Sequence, residues 1–170
     1  MFAVMFNLPD LTSTSPDQQR DAIVSMVRLI TEGEDNFIAN AANTASVLYH
    51  MMPEVNWTGF YLFDGTELVL GPFHGKPACL RIALGRGVCG TAAAERRTVV
   101  VPNVADFPGH IACDAASASE IVVPIMHGDT LLGVLDIDSP RVGRCTEDDA
   151  GFLQQIVAIL VSRSYGDSAQ

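Results

Sequence analysis

Apolar residues recur at two different spacings along this chain, and the change of spacing predicts where helix gives way to sheet. Ile23, Met26, Val27 and Ile30 stand at helical intervals. Ser15-Pro16-Asp17-Gln18 precedes them as a serine cap, a first-turn proline and a glutamine in the capping-box position. A first helix is therefore predicted over Pro16–Ile30. Gly33 breaks it, and a second stripe (Phe37, Ile38, Ala41, Ala45, Leu48) predicts a helix over 35–51 that Pro53 stops. At Trp57 the period drops to two. Trp57–Phe63 reads as a strand with Trp57, Gly59, Tyr61 and Phe63 on one face, and Asp64-Gly65 turns it into a partner over 67–70.

The middle of the chain is less regular. Residues 71–87 carry two prolines and four glycines, so they read as loop with a short strand over 80–83. A short helix over 88–95 and a strand over 98–101 follow, then a long loop over 102–119. Residues 121–126 and 130–137 form a second hairpin across His127-Gly128-Asp129. Thr146-Glu147-Asp148-Asp149 caps a last helix with Phe152, Leu153, Ile156, Val157 and Leu160 inward. This order predicts one α+β domain over 1–170, a central antiparallel sheet with helices packed on one face and long loops on the other.

Composition narrows the class. The 170 residues are 48% hydrophobic and 18% charged, which suits a globular domain with a sizeable core. A net charge of −10 argues against nucleic acid and anionic membranes as partners. No apolar run reaches the ~18 residues of a membrane span, and the N-terminus lacks a basic signal-peptide start. A cytoplasmic setting is expected, where four cysteines remain reduced unless they are catalytic or bind metal.

Candidate chemistry concentrates between Pro77 and Ser139. Cys79, Cys89 and Cys113 lie in or beside the two loops, whereas Cys145 stands apart and reads as a small buried hydrophobe. No CxxC pair exists and no histidine stands at metal-ligand spacing from a cysteine, so no metal is expected. Alternation on the last strand places Leu132, Val134, Asp136 and Asp138 on one face, opposite Leu131, Gly133, Leu135 and Ile137. Two carboxylates thus end an otherwise apolar row, either emerging into solvent or forming a pocket for a cationic group or a held proton. Glu120, opening the neighbouring strand, can join them. With Trp57 and Tyr61, these acids suit a small ligand that bears an ammonium and an apolar tail.

The segments NWTGFYLF, LVLGPFHGKPAC, GRGVCGTA, GHIACDAASASEIVVPI and GVLDIDSP resemble the free methionine-(R)-sulfoxide reductases, a GAF-domain enzyme family. The resemblance implies a GAF fold and reduction of the R epimer of free methionine sulfoxide through a cysteine sulfenic acid and an intramolecular disulfide. It also implies thioredoxin as reductant, a homodimer and no cofactor. By position it makes Cys113 the nucleophile and Cys79 its disulfide partner. Cys89 becomes a third catalytic cysteine of less defined role, and Trp57, Tyr61, Glu120, Asp136 and Asp138 become the substrate pocket. The competing expectation is a GAF sensor that binds a small molecule without catalysis.

Overall fold

The first helix owes its start to a reciprocal cap. Ser15 accepts a hydrogen bond from the Gln18 amide while the Gln18 side chain accepts from the Ser15 amide. In the computed structural model, which describes residues 7–110 and 115–166, this helix (α1) spans Pro16–Ile30. Helix α2 spans Phe37–Met51 and begins two residues later than its apolar stripe suggested, because the Asn36 side chain caps the Ala39 amide. Strands β1 (Trp57–Phe63), β2 (Glu67–Gly75) and β3 (Arg81–Ala83) lead to helix α3 (Gly87–Glu95). Strands β4 (Val99–Val101), β5 (Ser119–His127) and β6 (Thr130–Ser139) lead to helix α4 (Glu147–Tyr165).

Among the described residues the six strands form one antiparallel sheet in the order β3-β2-β1-β6-β5-β4. Helices α2 and α4 pack on one face of it and α1 packs over both of them. Phe60, Ile121, Leu135 and Ile137 point to that face and are fully buried there. Burying each such side chain is worth roughly 1.5–3 kcal/mol, so this layer accounts for much of the fold's stability. The buried strand hydroxyl of Thr58 is satisfied as well, donating to the Ala45 carbonyl of α2 at 2.7 Å. The described helices contain no segment long and apolar enough to cross a membrane.

Three details depart from the sequence expectation. Residues 71–75 are strand rather than loop: β2 continues through Gly71-Pro72 because the register slips there opposite Phe60, and a bulge tolerates a proline that a regular ladder would not. A second slip, between Ile125 and Met126, leaves Leu132 as the extra residue of β6. Leu131 therefore joins the cluster on the loop face and Leu132 the one on the helix face, the reverse of strict alternation. Gly133 makes this bulge possible, with φ at +158° and its Cα so close to the Tyr61 carbonyl that a Cβ would strike it. Finally, the short α3 packs on the loop face rather than with its three companions, seating Val88, Cys89, Ala92 and Ala93 against β5 and β6.

Candidate active site

The loop face of the sheet carries the predicted acids in register. Glu120 lies inside β5 rather than at its opening, because the strand starts at Ser119. It stands directly opposite Asp138 of β6, which in turn pairs with Trp57 of β1. Asp136 occupies the next row between Gly59 and Val122, and Tyr61 the row beyond, opposite Val134. Like charges directly across a sheet repel, so this arrangement costs stability and has to be maintained for another reason. The strand end does not emerge into solvent: Glu120 and Asp136 are each only 6% exposed.

Helix α3 closes over these acids and brings Cys89 to them. The Cys89 thiol lies 3.9 Å from Glu120 Oε1, while Glu120 Oε2 lies 3.4 Å from His110 Nε2. Burial, with His110 hydrogen bonding opposing it, raises Glu120 from an ordinary 4.5 to about 7. Burial and then the charge of Glu120 hold Asp136 well above the usual carboxylate range. Burial, followed by Asp136 and Glu120, does the same to the Cys89 thiol. Asp136 Oδ1 is buried and has no hydrogen-bond partner among the described residues. An orphaned buried carboxyl oxygen is costly and calls for an explanation.

These groups line a cleft of about 20 Å³ together with Ile82, Arg86, Gly87, Val88 and Ser117. That space suits one water-sized group. Cys89 Sγ and one oxygen each of Glu120 and Asp136 lie within 4.8 Å of one another, close enough to surround a small cationic centre. A metal would need all three deprotonated. An ammonium would likewise need a carboxylate, whereas without a cation the groups hold their protons.

The remaining predicted residues sit around this centre. Tyr61 lines the cleft, burial and the acids hold its phenol well above the ordinary range, and it donates to the Cys79 carbonyl at 3.1 Å. Trp57 does not line the cleft. It is buried behind it, stacked 6.0 Å from Tyr61 and 5.5 Å from Phe73, with its indole N–H donating to Lys76 O at 3.0 Å. Cys79 is engaged in a disulfide, whereas Cys89 and Cys145 are free thiols. Cys113 lies outside the described residues. Cys145 is buried at the helix side, near the Ile137 carbonyl, and burial pushes its thiol up to about 12. His110, Arg86 and Ser117 are cleft residues that sequence reading did not single out. His110 stood inside the GHIACDA segment, but spacing from cysteines tested histidines only as metal ligands and was blind to a carboxylate ten residues on.

Residues 36–164 match the GAF domain family. Over 128 residues the chain is 53% identical to the free methionine-R-sulfoxide reductase of Escherichia coli, covering 75% of this chain and 78% of that protein. It is 38% identical to the protein of the same name from Saccharomyces cerevisiae, with 91% and 93% of the two chains covered. The solved free methionine-R-sulfoxide reductase of Neisseria meningitidis, in complex with its substrate, superposes with a TM-score of 0.83 at 41% identity, covering 96% of this chain and 95% of that one.

Proposed function

The chain belongs to the free methionine-R-sulfoxide reductase family of GAF domain proteins, and from that premise we propose that it reduces the R epimer of free methionine sulfoxide to methionine. The observation that carries this reading is the buried Glu120–Asp136 pair with its orphaned oxygen, set in a cleft beside the segment that carries Cys79. An ammonium placed among these acids supplies the missing partner of Asp136 Oδ1. A peptide-bound methionine sulfoxide carries a neutral amide instead and leaves the carboxyls unpaired, which costs several kcal/mol and selects the free amino acid. Arg86 and the start of α3, where no side chain caps the amides, line the same cleft and suit the amino acid's carboxylate. Tyr61 floors the cleft, Asp138 flanks Glu120, and Trp57 supports Tyr61 from behind.

Cys113 acts as the nucleophile. Its thiolate attacks the sulfoxide sulfur, an acid protonates the oxygen, and the substrate S–O bond breaks. The oxygen ends on Cys113 as a sulfenic acid, so the substrate sulfur gains the two electrons that the cysteine sulfur loses. The Cys79 thiol then displaces that oxygen as water and closes a disulfide. Cys79 held in a disulfide, with Cys89 and Cys145 free, accords with this division of labour. Cys89, buried against Glu120 and kept protonated, is a poor nucleophile and serves as part of the pocket's proton-holding centre. Glu120, raised by burial and then Asp138, and Asp136, raised by burial and then Glu120, hold the proton that the oxygen receives. Thioredoxin restores the thiols, in the reducing cytoplasm, and the active form is a homodimer.

The test follows NADPH oxidation with thioredoxin, thioredoxin reductase and each epimer of free methionine sulfoxide. Turnover of the R epimer alone is expected. Binding without turnover of either epimer would overturn the reading in favour of a sensor.

A further inference from the structure

We propose that His110 is a proton-relay residue, passing protons from solvent to Glu120 so that the acid can be recharged inside a narrow cleft with room for little more than one water-sized group. The inference rests on the reductase reading and assigns a residue which that reading does not use. Its geometry is carried by the two oxygens of Glu120, which face different surroundings. Oε1 points inward, 3.9 Å from the buried Cys89 thiol, and Oε2 points to His110 Nε2 at 3.4 Å. The His110 side chain is 15% exposed and that of Glu120 only 7%, so of the two the imidazole is the one more open to solvent. The backbone holds it there, because the His110 amide donates to Phe107 O at 3.2 Å at the end of the turn over Val104–Asp106.

The surrounding charges explain why a relay is needed. Glu120 faces Cys89 from α3, Asp138 and Asp136 from β6, and Tyr61 from β1, and Arg86 lines the same cleft. Neutral or negative neighbours retain protons but cannot import them, and Arg86 does not release its own. Each sulfoxide reduced consumes one proton at its oxygen. If Glu120 supplies it, the carboxylate left behind takes a new one at Oε2, and a half-turn of the carboxyl presents it inward. An imidazole accepts and donates protons through two separate nitrogens, which fits it for this step.

The test measures the rate of methionine formation over successive turnovers at saturating thioredoxin, using free methionine-(R)-sulfoxide between pH 5.5 and 9. His110→Gln keeps a donor at Glu120 but cannot pass a proton. Its rate is expected to drop below that of the wild type as pH rises, with a deficit of roughly 10–100-fold near pH 8 that narrows toward pH 6. In His110→Ala, added imidazole restores the rate in proportion to its concentration. A profile parallel to the wild type at every pH, or no response of His110→Ala to imidazole, would overturn the relay. Absence of sulfoxide reduction by the wild-type enzyme would instead overturn the reading on which it rests.

Discussion

Consecutive residues of β6 stand in two different media. Leu135 and Ile137 enter the layer beneath α2 and α4, where most neighbours are apolar and both side chains are fully buried. Asp136, between them, enters the cleft under α3, where burial is almost as complete but the neighbours are two more acids and a thiol. Both faces exclude water to a similar degree, yet one gains free energy from doing so and the other loses it. The difference teaches where to look for function in this fold. Stability is concentrated on the helix face, and the loop face carries groups whose burial only a ligand or a proton can justify.

The comparison can be broken most severely at Asp136. Asp136→Asn is expected to lower kcat/KM for the free sulfoxide roughly 1,000-fold, within the range for loss of a positioned acid–base group, while the thermal midpoint holds or rises. Steady-state kinetics beside a thermal melt check both halves, and a fall in the midpoint would mean that the acid is structural. The reverse experiment is Leu135→Ala, which should cost about 3 kcal/mol through lost burial and the cavity left behind. Denaturant unfolding measures it, and kcat/KM per folded molecule should stay unchanged. A smaller effect comes from pH. Glu120 is raised in the folded protein from 4.5 to about 7, so between those values the folded state binds more protons than the unfolded one. Stability therefore falls as pH rises from about 4.5 through about 7. Urea midpoints across that window should show the decline, and Glu120→Gln should flatten it. The smallest effect is at the periphery of the helix face, where Ser15→Ala removes the cap of α1 and is expected to cost about 1 kcal/mol, again by urea unfolding, with no change in turnover.

The helix face was the more legible of the two in the sequence. Ser15-Pro16 and Thr146 announce their helices through local capping, and the period-two run from Trp57 assigns Phe60 and Tyr61 to their observed sides. Patterns of this kind are local, so one stretch of chain contains all the information needed. The bulges at Gly71-Pro72 and Leu132 defeated the same reasoning. Each depends on a partner strand, and a single extra residue exchanges the faces of its neighbours. At the site, the residue types and the strand face of Asp136 and Asp138 could be read directly. That Glu120 sits between Cys89 and His110 could not, because α3, β5 and the loop before it approach only in three dimensions. The position of α3 was hidden for a related reason: its apolar residues surround it and give no face a preference.

Trp57 is the one tryptophan in the chain. Its ring is stacked between Tyr61 and Phe73, and its N–H is fastened to Lys76, three residues before Cys79. All tryptophan emission therefore originates beside the segment that carries the disulfide-bonded Cys79. The protein carries its own optical gauge, so thiol–disulfide exchange at Cys79 can be followed in real time by intrinsic fluorescence without attaching a label.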